Sequence, residues 1–261
     1  MSMDEQSAIP AERMKRILAY IEKKGSAQVR ELARSQNVSE ATIRRDLSEL
    51  EKMGSIRRTH GGAVLTSPNL PYEKLYQSRF ETCREEKKRI ALLASKYVSD
   101  GDTVFLGSGT TVFQLALNLG EKRSLTVITN DLSIADAVVL HSSSQLIVTG
   151  GIRKSGEHVL VGSIPENFLR QVSMDKVFLS ADAVDPEFGV SNANFVEAQI
   201  KTLAVQAGKE VIVLVDKTKF GKKALTKICQ LNEVERIITD LGMPQAMIKK
   251  ITEQGVALEF V

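Results

Sequence analysis

Between Glu12 and Lys24 the apolar residues Met14, Ile17, Leu18 and Ile21 recur at spacings of one turn, which predicts a helix that Gly25 stops. Val29, Leu32 and Ala33 continue the rhythm in a short second helix ending near Asn37, a residue suited to left-handed turn geometry. A tight turn leads to Ser39, a good N-cap with Glu40 in the first turn behind it. Ile43, Leu47, Leu50 and Met53 then form one apolar stripe before Gly54 ends a third helix. At about 100° per residue, Ala41, Thr42, Arg45 and Ser48 fall on the opposite face, with Arg44 at its edge. Ile56 to Val64 reads as two short strands around the Gly61-Gly62 turn, a basic wing after the third helix.

The pattern changes after residue 64. Leu65 to Pro71 contains Pro68 and Pro71 and no apolar period, as expected of an extended linker. From Glu81 to Ser99 a charged amphipathic helix is predicted, and then strands and helices alternate. Strands are expected at Thr103–Leu106, Leu125–Thr129, Gln145–Val148, Lys176–Leu179, Glu210–Val215, Arg236–Thr239 and Val256–Phe260. Helices at Val112–Leu119, Ser133–Leu140, Ile164–Val172, Phe195–Ala207 and Pro244–Ile251 separate most of them. Such alternation predicts an α/β domain with a mainly parallel sheet covered by helices. The expected division is 1–64, a linker at 65–72, and a larger domain at 73–261.

With 261 residues, 43% hydrophobic and 26% charged, the chain has enough apolar content for two packed cores. No apolar run is long enough to cross a bilayer, and the first residues lack a signal-peptide core, so a cytoplasmic location is expected. Cys83 and Cys229 lie far apart and are read as packing residues. Neither His60, His141 nor His158 stands in a metal-binding spacing, and His141 and His158 are read as surface or loop residues. No metal or cofactor is expected. Residues 1–62 hold 12 basic and 9 acidic residues, and the remainder holds 23 of each, so the net charge of +3 is entirely N-terminal. That asymmetry favours a polyanion partner for the N-terminal part.

Three short helices with a tight turn before the last, followed by a basic hairpin, make a winged helix-turn-helix. A major groove admits one helix, and the side chains near its start must be short or basic enough to reach base edges and phosphates. Ser39, Thr42, Arg44 and Arg45 meet that need, Arg57 and Arg58 are placed to lie on the backbone or in the minor groove, and His60 sits in the wing turn. By spacing alone, a solvated face on a protein-docking domain remains open.

In the larger domain the sharpest signal is Gly107-Ser108-Gly109-Thr110-Thr111, directly after one predicted strand and before a helix. Small residues let backbone amides approach a phosphate, and the hydroxyls add donors, so an anion site is implied; a plain tight turn is the alternative. A nucleotide loop of either common kind is excluded, because one lacks its Lys and the other would need Gly where Val112 stands. Thr129-Asn130-Asp131, Thr149-Gly150-Gly151, Ser180-Ala181-Asp182 and Asp216 to Lys219 follow other strands, where open α/β sheets place ligands. Each of these polar residues is also a plausible cap or turn residue. In the run Lys217, Lys219, Lys222 and Lys223 a solvated face is the ordinary reading.

The run VRELARSQNVSEATIRRDLSELEKMGSIRRTHGGA, residues 29–63, resembles the N-terminal signature of the DeoR family of bacterial transcriptional regulators. SGTT at 108–111, TN at 129–130, GG at 150–151, DKTKFG at 216–221 and ITD at 238–240 are similar to that family's effector domain. The resemblance implies a fold like ribose-5-phosphate isomerase and a sensor of phosphorylated sugars, with Ser108, Gly109, Thr110 and Thr111 on the phosphate and Asn130 and Lys219 nearby, while Asp182 is an effector candidate by its place after a strand. It also implies double-stranded operator DNA as partner, a homo-oligomer, dimer or tetramer, and a repressor of carbohydrate genes. Gly107, Asp131 and the segment 181–192 depart from the family's usual pattern. The rival reading is a sugar-phosphate isomerase carrying a DNA-binding head, with Glu197, Asp182 or Asp216 as base and Lys219 as electrostatic stabiliser.

Overall fold

In the computed structural model, residues 10–52, 55–59, 61–65, 78–153 and 157–261 are described. They fall into two compact units, Met1–Pro71 and Tyr72–Val261. His60, Met53, Gly54 and the two linker prolines lie outside the described residues.

The first unit contains α1 (Pro10–Lys24), β1 (Ser26–Gln28), α2 (Val29–Gln36), α3 (Glu40–Lys52), β2 (Ile56–Thr59) and β3 (Gly62–Leu65). The apolar stripes converge as the spacing predicts: Ile17, Ile21, Leu32, Ile43, Leu47 and Ile56 are fully buried in one core. α2 ends at Asn37, whose φ of 53° is the left-handed cap expected there. The wing is larger than two strands. β1 pairs with β3 to make a three-stranded sheet in the order β1-β3-β2, and a Cβ on Gly62 would meet the Ala27 carbonyl oxygen at 2.1 Å. A polar residue in the recognition segment also turns inward: Asp46 takes two hydrogen bonds from Arg13 of α1, at 2.6 and 3.0 Å, with both side chains buried.

The second unit is a seven-stranded sheet, every neighbouring pair of which is parallel. Its strands are β4 (Thr103–Leu106), β5 (Thr126–Thr129), β6 (Gln145–Val148), β9 (Met174–Leu179), β12 (Gly208–Leu214), β14 (Arg236–Thr239) and β15 (Ala257–Phe260). Adjacent residues face opposite sides: Phe105, Val177, Leu179 and Val213 enter one core, Val104, Leu106, Phe178 and Ile212 the other. Burial on both faces explains why these strands read as continuous apolar runs rather than alternating ones. The covering helices are α4 (Arg84–Ser95), α5 (Thr110–Ala116), α6 (Leu132–His141), α7 (Ser163–Leu169), α8 (Phe195–Ala207) and α9 (Gln245–Thr252). The helix expected from Glu81 to Ser99 is shorter, and Cys83 at its start has φ 52°. Two small antiparallel elements were not foreseen: the hairpin β7 (Ile152–Arg153) with β8 (Leu160–Val161), and a sheet of β10 (Ala183–Asp185), β11 (Gly189–Asn192) and β13 (Thr226–Cys229).

The spatial order β15-β14-β12-β9-β4-β5-β6 reverses between β4 and β9. From β4 the chain builds outward through β5 and β6, then returns to β9 and builds the other way. The loops after β4 and β9 therefore diverge, and a crevice opens at the carboxyl ends of the strands.

Candidate functional site

In the first unit, α3 presents the residues expected to reach DNA, but several are engaged. Ser39 Oγ accepts the Thr42 N–H at 3.1 Å and lies 2.8 Å from the Thr42 hydroxyl, which fastens the start of α3. Arg44 donates to Glu40 at 2.7 Å, and Glu40 also lies 3.4 Å from Arg30 of α2. Arg58 donates to the Ser48 hydroxyl at 2.7 Å, and its N–H donates to Glu51 at 2.8 Å, so the wing is tied to α3. Arg45 and Arg57 are exposed and form no ion pair among the described residues. The result is one exposed helical face bordered by a basic strand.

In the second unit a cavity of about 620 Å³ opens at the switch point. Ser108, Gly109, Thr110 and Thr111 line it after β4, Asp182 after β9, and Lys219 after β12, so six of the expected effector residues share one wall system. Gly109 has φ 142°, and a Cβ there would fall 2.5 Å from that of Ser180, so the β4 loop needs glycine to pass the β9 loop. The N–H groups of Gly109, Thr110 and Thr111 have no acceptor among the described residues. They are free to meet a ligand oxygen.

Three expectations need correcting. Asn130 does not line the cavity: it is buried, and its amide donates to the Leu160 carbonyl at 3.1 Å, which fixes β8 beside the end of β5. Ser108 lines the cavity, but its hydroxyl proton is committed to Glu197 Oε1 at 2.6 Å and is not available to a phosphate. His158, read as a surface or loop residue, lines the cavity instead. The lysine run divides: Lys217 pairs with Asp240 at 3.3 Å and Lys223 with Asp185 at 3.5 Å, while Lys219 faces the cavity.

The departure at Asp131 has a local purpose. Its carboxylate accepts the N–H groups of Ser133 and Ile134 at 2.9 and 3.3 Å and so caps α6. Burial pushes this carboxyl above the usual aspartate value, against the two amides that favour its charge. Asp216 likewise caps the turn that carries Lys219, accepting the Thr218 N–H at 3.0 Å.

Two lysines escaped the sequence reading. Lys87 of α4 is buried at the cavity, donating to the carbonyls of Arg79 and Thr82; burial lowers its pKa, and Asp216 nearby opposes this only in part. Lys201 of α8 is buried beside Glu197, at 2.9 Å. Burial pushes Glu197 up, but Lys201, Ser108 and Asn192 more than offset it, and its carboxyl is held below the usual glutamate value. The missed signal was available: Lys87, Ile90, Ala91 and Ala94 form the buried stripe of α4, and a lysine in an apolar stripe is rarely there for packing. Among the described residues Lys87 and Lys219 have no ion pair, and no group of three or more His, Cys, Asp or Glu is arranged to hold a metal.

Comparison with known proteins decides the identity of both units. The DeoR-like helix-turn-helix domain matches residues 13–69, and the DeoR C terminal sensor domain matches residues 82–241. The chain belongs to the DeoR family of transcriptional regulators. The putative aga operon transcriptional repressor of Escherichia coli O157:H7 is 31% identical over 252 residues, 96% of this chain and 94% of that protein. The glycerol-3-phosphate regulon repressor of Escherichia coli K12 is 29% identical over 245 residues, 93% of this chain and 96% of that protein. Among solved structures, ribose 5-phosphate isomerase A from Methanocaldococcus jannaschii gives a TM-score of 0.41 at 21% identity, over 54% of this chain and 56% of that one. As a DeoR regulator the protein has a DNA-binding head in its first unit and a sensor domain in its second. Among its described residues no helix is long and apolar enough to cross a membrane.

Proposed function

We propose that this DeoR regulator is a repressor of carbohydrate genes whose release from operator DNA is controlled by a phosphorylated sugar bound in the switch-point cavity. The observation that carries the reading is the convergence in one cavity of the unpaired amides of Gly109 to Thr111 with the ammonium groups of Lys87 and Lys219. Amides at a strand-to-helix turn suit a phosphate, and two cations without carboxylate partners supply the charge it needs. One relative is a glycerol-3-phosphate regulon repressor, which supports that ligand class. Arg45 and Thr42 would read bases from α3, while Arg57 and Arg58 would hold the backbone. Control requires that the ligand favour one arrangement of paired heads over the other, since equal affinity shifts nothing.

The experiment is a titration of the operator complex with phosphorylated sugars, paired with a thermal-shift screen. A ligand at 100 times its dissociation constant stabilises by about 2.7 kcal/mol. Turnover of a pentose or hexose phosphate by the purified chain would replace this reading with the isomerase one, and a response confined to uncharged metabolites would remove the phosphate.

A further inference from the structure

We propose that Glu197 reads a hydroxyl group of the effector, so that the cavity takes phosphorylated sugars and polyols and rejects phosphorylated sugar acids. The proposal rests on the sugar-phosphate reading above and adds to it the class of ligand and its orientation.

It follows from the direction of the hydrogen bonds on one wall. The single hydroxyl proton of Ser108 goes to Glu197 Oε1 at 2.6 Å. The three protons of Lys201 face three acceptors: Glu197 Oε1 at 2.9 Å, the Ser180 carbonyl at 2.9 Å and Asn192 Oδ1 at 3.4 Å. Ser180 Oγ donates to the Leu214 carbonyl at 3.2 Å. The side-chain donors of Ser108, Lys201 and Ser180 are therefore spent inside this wall, and Asn192 also hydrogen-bonds Glu197. What remains for a ligand is acceptor capacity: the lone pairs of Ser108 Oγ and the Glu197 carboxylate, which Lys201 keeps ionised.

A ligand hydroxyl brings the donor this wall lacks. A ligand carboxylate brings only more acceptors and a like charge, in a site where burial makes that repulsion strong. The donors of the cavity lie on other parts of its lining, at the Gly109 to Thr111 amides and at Lys87 and Lys219. The effector is thus aligned with its phosphate on the amides and lysines and its hydroxyl-bearing carbons on Glu197.

The test uses the full-length chain and matched probes: glycerol 3-phosphate against 3-phosphoglycerate, and glucose 6-phosphate against 6-phosphogluconate. The member of a pair without a carboxylate is expected to bind more than about tenfold tighter than the acid. Equal binding, or preference for the acid, overturns this proposal and leaves the phosphate reading standing; indifference to every phosphorylated probe overturns both. Glu197→Gln is expected to erase the discrimination within a pair. Should Glu197→Gln fail to fold, the matched pairs measured on the wild-type chain still decide the matter, because a wild-type chain that binds the acids as tightly as their partners has no wall that rejects a carboxylate.

Discussion

Gly109 and Ser180 meet across the switch point: a Cβ built on the glycine would lie 2.5 Å from the serine Cβ and 2.8 Å from its hydroxyl. The loop after β4 and the loop after β9 are thereby locked together at the mouth of the cavity. Gly109→Ala combines this clash with a backbone at φ 142°, a strain of about 1–3 kcal/mol by itself. The urea midpoint of the sensor unit should fall and the response to phosphorylated sugars should be lost. Adding Ser180→Gly should recover part of the midpoint by removing the clash while leaving the backbone strain. A Gly109→Ala variant with the wild-type midpoint would show that the loops give way freely.

Asp131 should make the sensor unit less stable as pH rises. Burial raises its folded-state pKa above the unfolded value of 3.8, so the folded state holds its proton longer. The associated stability is fully present below the unfolded pKa and is lost as pH climbs through the folded one. Asp131→Asn keeps the cap of α6, because an asparagine oxygen also accepts the Ser133 and Ile134 amides. The variant should gain stability relative to wild type at pH 7 and lose that advantage at pH 4, as read by denaturant titration at both values. Glu197 works in the opposite direction, since its folded pKa is depressed and its contribution is lost as pH falls through that value. A variant whose gain is the same at both pH values would remove Asp131 as the source.

The sequence was most informative where one residue pattern admitted one geometry. Parallel strands buried on both faces announce themselves as apolar runs, and Gly109 announced a turn no side chain can make. Short antiparallel pieces were illegible because two or three residues, as in β1, β7 and β8, carry no period. Asn130 was misplaced because a strand-end asparagine serves a carbonyl such as that of Leu160 as well as it serves a ligand. Hydrogen-bond direction was beyond sequence altogether: nothing in the string SGTT says that Ser108 spends its proton on a carboxylate 89 positions away. Lys87 and Lys201 were legible and overlooked, as charges inside buried helical stripes.

The two free arginines and the tethered one should separate in DNA binding. Arg45→Ala should cost about 1–3 kcal/mol on the operator and relax specificity at one base pair. Arg57→Ala should weaken all duplexes alike and reduce the salt slope by about one unit. Arg58→Ala also frees Ser48, loosening the wing from α3, so it should lower the thermal stability of the head as well as its affinity. Titrations at several salt concentrations, with melting curves, distinguish the three. Identical slopes for wild type and Arg57→Ala would take Arg57 off the backbone.

The Arg13–Asp46 pair should dominate the stability of the head. Removing one partner leaves the other charge buried, which costs about 3–5 kcal/mol, whereas replacing both by apolar residues of similar volume is often neutral. Asp46→Leu should therefore unfold the head at much lower denaturant, and Arg13→Met with Asp46→Leu should recover most of the loss. Additive losses in the double variant would mean that the two residues act separately.

Operator geometry should follow from the single helix-turn-helix in each chain. One head has one recognition helix, with Arg45 exposed to meet bases over a few pairs, too short a sequence to single out a site in a genome. Specific binding therefore calls for two heads on two half-sites facing the same side of the duplex, with centres separated by about 10 base pairs or a multiple. A spacing of five more pairs turns the second half-site to the far side, so affinity should fall when the spacer grows by half a turn and recover when it grows by a whole one. Analytical ultracentrifugation should show a dimer or larger on DNA. Monomers both free and bound, or an affinity that ignores spacer length, would mean that each head acts alone and that ligand control cannot work through the arrangement of pairs.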